Sequence, residues 1–193
     1  MTTPRISMLS VDDARTAAAS VKMHEATAEL NIFRILLKHP HLAKMINAPI
    51  MNLIFRGKLD DRLRELIIMR LGWSTGSVYE WTQHWPIALD CGVSEAELLA
   101  VRNWPDHDIW SDLDRAILSA TDEVVGKGAV MPETWDILAT HLETEEELLE
   151  VIATIGTWNM VSQLLRSLSV PLEDGKQPWP PGGDQPPNGR GEE

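Results

Sequence analysis

Ser77, Glu80 and His84 follow one another at steps of three and four, a spacing that places their side chains on one face of a helix. Glu65 lies on the preceding helix. A turn at 72–76 that folds this helix back antiparallel brings its carboxylate to the same patch. Two carboxylates and an imidazole beside Trp73, Tyr79 and Trp81 form a proton-handling site with aromatic walls. A carboxylate next to an imidazole holds its tautomer and stabilises its protonated form, which tunes a general acid. On this reading Glu65, Glu80 and His84 are catalytic, and Trp73, Ser77 and Tyr79 bind substrate. His84 delivers a proton, Glu80 orients and tunes it, and Glu65 relays or holds a second proton.

The same residues have a plainer explanation. Glu80 and His84 fit an exposed i, i+4 pair, and Glu65 can pair with Arg62, Arg64 or Arg70. Ser77 is also a favoured helix-start residue, and Trp73 and Tyr79 also suit a core. A metal is a third use of Glu65, Glu80 and His84. Only one histidine is in reach, however, and His24, His39, His41, His107 and His141 form no recognised ligand pattern. No metal and no cofactor is therefore expected.

The elements that must position these groups read as helices. Periodic apolar residues and local signals predict helices over about 11–38 (with a break near 30), 41–55, 60–73, 77–91, 94–103, 132–141 and 144–168. Thr144 with Glu147 and Ser94 with Glu97 make capping boxes, in which the hydroxyl and carboxylate each satisfy an orphan amide. Pro132 suits a first helical turn, His39 before Pro40 ends a helix, and Gly92 supplies a left-handed C-terminal cap. No stretch alternates with period two long enough for a strand. The fold class is all-α, with one helical domain over 1–172. Residues 173–193 are rich in Pro, Gly and charge and read as a disordered or loosely docked tail, with Trp179 dangling rather than anchored.

Composition removes several classes of function. A net charge of -12, with 17 Lys and Arg scattered among 29 acids, gives no phosphate-binding surface for nucleic acid and repels anionic membranes. The single cysteine, Cys91, rules out an intramolecular disulfide and favours a reducing compartment. No apolar run approaches the ~20 residues of a membrane span, and the first residues lack the apolar stretch of a secretory signal. Cytoplasmic localisation is the expectation. The expected partner is a small molecule, which a locally positive pocket can hold despite the overall charge.

Residues 62–98, RLRELIIMRLGWSTGSVYEWTQHWPIALDCGVSEAEL, resemble the core of the carboxymuconolactone decarboxylase and AhpD-like superfamily. The resemblance implies an all-helical fold of compact subunits assembled into homo-trimers or hexamers. The peroxidase branch of that superfamily uses a Glu, a CxxC and a His four residues later, at the positions of Glu65, Ser77, Glu80 and His84. Both cysteines are replaced here, by Ser77 and Glu80. Peroxide reduction of that kind needs a thiolate nucleophile and a resolving thiol, so thiol peroxidase is out. What remains resembles the decarboxylase branch, with a Glu-x-x-x-His pair at Glu80 and His84, and Ala88, Gly92, Ser94 and Glu97 downstream. It implies a cofactor-free, lyase-type reaction on a small organic acid or lactone. A non-catalytic oligomeric binding protein that keeps the fold is the alternative.

Overall fold

The computed structural model describes residues 3–187, and every regular element among them is helical. The described residues cluster into two compact units. One comprises residues 3–56 and 164–176, the other 57–163 and 177–187.

In the first unit the stretch from residue 11 divides into α1 (Val11–Ser20), α2 (Glu25–Glu29) and α3 (Asn31–Leu36), followed by α4 (Pro40–Phe55). The break near 30 lies at Leu30, which is extended at φ -67°, ψ 135°. Ser10 caps α1, its hydroxyl accepting from the Asp13 amide, and the His39 ring accepts from the Leu42 amide at the start of α4. Asn31 ties the later segment to α3. Its side chain donates to the carbonyls of Pro171 and Leu172, and its amide donates to the Glu173 carboxylate.

The second unit holds α5 (Asp61–Thr75), α6 (Val78–Asp90), α7 (Glu95–Ala100), a 3-10 turn (Val101–Asp106), α8 (Asp112–Lys127), α9 (Pro132–His141) and most of α10 (Glu145–Leu168). Helix α5 packs on α6 and α8, and α8 packs on α9. The Asp60 carboxylate starts α5 by accepting from the Arg62 and Leu63 amides. The turn expected at 72–76 is shorter than that. Gly72 stays inside α5, and only Gly76, at φ 69°, takes the left-handed conformation that ends it. Gly72 serves a close approach instead, since a Cβ there would lie 3.0 Å from the backbone nitrogen of Trp81. Helix α8 is absent from the sequence expectations. Its signal is a capping box of Ser111 and Asp114, with the shorter Asp where Glu or Gln is usual.

Two further expectations are corrected. Trp179 does not dangle: it is 5% exposed, and its ring lies against Trp73 and Trp81. Its amide donates to Thr82 Oγ1 at 3.2 Å, and Trp81 Nε1 donates to the Pro180 carbonyl at 2.9 Å. Composition denies this segment a core of its own, but the indoles of α5 and α6 provide one. The end of the expected tail, 188–193, lies outside the described residues. Helix α10, with 24 residues and a mean hydropathy of 1.2 over its most apolar stretch, is long and apolar enough to cross a membrane by length and composition. Its Val151, Ile155 and Trp158 are buried in the protein, whereas Leu149, Ile152 and Met160 on the same helix are exposed.

Candidate functional site

Glu65 from the middle of α5 and Glu80 and His84 from α6 meet inside the second unit. Glu65 is 1% exposed and His84 9%. His84 Nδ1 lies 2.8 Å from Glu65 Oε2, and His84 Nε2 lies 3.4 Å from Glu80 Oε2. The imidazole thus has a carboxylate at each nitrogen. The exposed-pair reading of Glu80 and His84 is set aside by their burial. The other oxygen of Glu65 accepts from Arg64 Nε at 3.2 Å, and Arg64 also pairs with Asp61.

A fourth residue completes the arrangement. Trp158, from α10, directs its Nε1 to His84 Nε2 at 3.3 Å, and the two rings are nearly perpendicular. Sequence reasoning missed it, because a Trp in the apolar stripe of α10 looks like core and no spacing links positions 84 and 158. Indole N–H only donates, so this bond requires a deprotonated Nε2, and the ring proton then sits on Nδ1 and is donated to Glu65. With Nε2 an acceptor, an ionised Glu80 would set two lone pairs against each other, and a protonated Glu80 relieves that conflict.

The electrostatics agree for Glu80. Burial, partly offset by the pull of His84 and reinforced by the charge of Glu65, pushes its pKa from 4.5 up to about 7. For His84 two tendencies oppose. Burial lowers its pKa, but the attraction and hydrogen bond of Glu65, with the charge of Glu80, carry it above the ordinary histidine value. The Trp158 donor favours the neutral ring instead. One proton can therefore reside on Glu80 Oε2 or on His84 Nε2, with the same total charge in either.

The other predicted residues are placed differently. Ser77 is buried before the first turn of α6, but its hydroxyl does not cap that helix and has no hydrogen-bond partner. Tyr79 is buried on the first turn. Trp73 points to a separate aromatic cluster, with its ring 5.1 Å from that of Trp81 and 5.8 Å from that of Trp179. The three arginines considered for Glu65 or a substrate carboxylate are all engaged. Arg64 alone pairs with Glu65, Arg62 pairs with Asp114 and Glu97, and Arg70 pairs with Asp122. The Cys91 thiol lies 3.9 Å from Arg64 Nη2, and burial pushes its pKa up, away from a reactive thiolate. Among the described residues, no group of three or more His, Cys, Asp or Glu is arranged to hold a metal ion.

Known proteins with this architecture give the geometry a context. Residues 40–123 match the carboxymuconolactone decarboxylase family. A peroxidase-related protein with an alkylhydroperoxidase AhpD core from Ralstonia eutropha superposes with a TM-score of 0.74 at 19% identity, covering 90% of this chain and 94% of its own. A variant of the debrominase Bmp8, solved with 2,3,4-tribromopyrrole, gives 0.69 at 20% identity over 90% and 94%. A peroxidase-related protein from Silicibacter gives 0.68 at 13% identity over 96% and 98%. No curated protein matches the sequence. Residues 40–123 thus resemble the carboxymuconolactone decarboxylase family, and the chain shares the all-helical fold of these AhpD-like structures.

Proposed function

We propose that this protein is a cofactor-independent acid–base enzyme of lyase type, acting on a small organic acid or lactone by decarboxylation or a related enol reaction. The observation that carries the reading is the buried His84 ring with a carboxylate at each nitrogen and an indole N–H at Nε2. The geometry supports a division of labour opposite to the one the sequence suggested. Glu65, with one oxygen on Arg64 and the other on His84 Nδ1, is a fixed anion that orients the imidazole. Glu80, with its pKa near neutrality, is the partner that shares the mobile proton with His84 Nε2.

In a decarboxylation the C–C bond to the carboxylate breaks, CO₂ leaves, and the electron pair remains as an enolate. The Glu80–His84 pair delivers one proton to that carbon, and water restores the proton. Groups poised near neutral pH suit this task, and such acid–base contributions are typically about 10²–10⁴ in rate. Thiol peroxidase chemistry is not part of the reading, because Ser77 and Glu80 replace both thiols. We also place the protein in the cytoplasm as a homo-oligomer. Leu149, Ile152 and Met160, exposed along one side of α10, are apolar surface suited to a second copy.

A second reading is a binding protein that keeps the fold without the reaction, and the buried Arg64–Glu65 ion pair is the observation on its side. The test is CO₂ release and deuterium incorporation from carboxylated lactones and 3-keto acids, with and without a chelator. Wild type, Glu80→Gln and His84→Gln are compared. The proposal expects chelator-independent turnover that falls at least about a hundredfold in either variant. Turnover or exchange absent across the panel, or undiminished in both variants, overturns it in favour of the binding protein.

A further inference from the structure

We propose that Arg102, lying over the Trp73 and Trp81 rings, is a binding site for a planar aromatic carboxylic acid, and that Trp179 and Asp184 occupy it as an internal stand-in. The guanidinium carbon lies 4.8 Å from the centre of the Trp73 ring and 5.4 Å from that of Trp81. Arg102 Nη1 donates to Asp184 at 3.0 Å, whereas Nε and Nη2 are buried without a hydrogen-bond partner. Those two groups form the edge with which a guanidinium grips both oxygens of a carboxylate.

The same chain shows that edge in use. Arg70 donates from Nε and Nη2 to the two oxygens of Asp122, at 2.6 and 2.8 Å. Arg70 Nη1 also donates to the carbonyls of Val101 and Arg102, so the backbone that presents Arg102 is fixed before any ligand arrives. Arg102 is thus a pre-positioned guanidinium, with aromatic faces beside it and its two-pronged edge unmatched. Burying such donors unpaired is costly, and a carboxylate on a flat ring answers both the charge and the indole faces.

The segment now lying there presents the same two groups. Trp179 packs edge-on to Trp73 and tilted to Trp81, and Asp184 supplies a carboxylate to Arg102. Its hold is light. Asp184 is 73% exposed, and Trp179 sits at φ 53°, a left-handed conformation that non-glycine residues adopt at a cost. An aromatic acid displaces the Trp179 ring from the indole cluster and takes the Nε–Nη2 edge that Asp184 does not reach.

The test is equilibrium binding of benzoate to the full chain, by calorimetry, with neutral benzamide as control. No turnover is measured, so the result stands apart from the acid–base reading. Benzoate is expected to bind in the millimolar range or tighter and benzamide not at all. Asp184→Asn, at an exposed position, removes the competing carboxylate and should tighten benzoate binding about two- to fivefold. Arg102→Lys keeps the charge but loses the two-pronged edge and should weaken binding about tenfold or more. The assignment is overturned if benzoate binds neither wild type nor Asp184→Asn, if benzamide binds equally well, or if Arg102→Lys binds benzoate like wild type.

Discussion

Replacing Glu80 with glutamine removes the titrating carboxyl and keeps its shape, so stability should lose much of its dependence on pH. In the native chain burial raises this group from 4.5 to about 7. Between those values the native state holds a proton that the unfolded chain has released, and stability falls as pH rises. Each tenfold difference in proton affinity is worth about 1.4 kcal/mol, so the whole rise corresponds to about 3 kcal/mol lost from wild type between about pH 4 and pH 8. His84 adds a fall of the same sign in a higher window. Its raised pKa gives stability that is present below its ordinary value near 6.5 and lost as pH rises through the folded one. Glu80→Gln should therefore keep only the later decline. The assay is urea unfolding of both proteins across that pH range, with stability extrapolated to water. Parallel curves for the two proteins, or a wild type whose stability is flat or rising over the range, would refute the argument that Glu80 is buried with its proton.

Four other perturbations test the surrounding structure. Trp158→Phe removes the N–H that only deprotonated Nε2 can receive, so the His84 pKa should rise in an NMR titration while stability drops by about 1 kcal/mol; an unmoved titration contradicts the bond. Gly72→Ala sets a Cβ 3.0 Å from the Trp81 backbone and should cost about 1–3 kcal/mol. Gly156→Ala, in open space within α10, should gain about 1 kcal/mol, both read by thermal or urea unfolding. Arg62→Ala leaves the Asp114 and Glu97 carboxylates without the partner that helps hold both pKa values below the usual range against burial. It should cost about 2 kcal/mol at neutral pH. That penalty should shrink as pH falls through the folded values of these acids, because their stabilisation exists only while they are ionised.

Much of this architecture was legible in local chemistry. The Thr144–Glu147 and Ser94–Glu97 boxes start their helices as read, and the three- and four-residue steps of α6 put Glu80 and His84 on one buried face. Glu65 joined them because α5 does fold back against α6. Contacts between distant parts of the chain were not legible. Trp158 reaches His84 from 74 positions away, and nothing local marks it. Trp179 looked like part of a polar tail because composition counts what a segment holds, not what it can land on. Gly72 was read as a turn glycine, whereas its missing side chain matters for the approach of Trp81. The division of roles between Glu65 and Glu80 depended on which nitrogen each carboxylate faces, a property of side-chain geometry that spacing does not carry.

The most direct test of the shared proton is an NMR titration of the His84 ring nitrogens and the Glu80 carboxyl carbon in the same labelled sample. The account predicts that Nδ1 stays protonated throughout, while Nε2 and the Glu80 carboxyl change together near neutral pH. A His84 ring that titrates alone, beside a Glu80 that is already ionised at about pH 5 like a solvent-exposed glutamate, would contradict it.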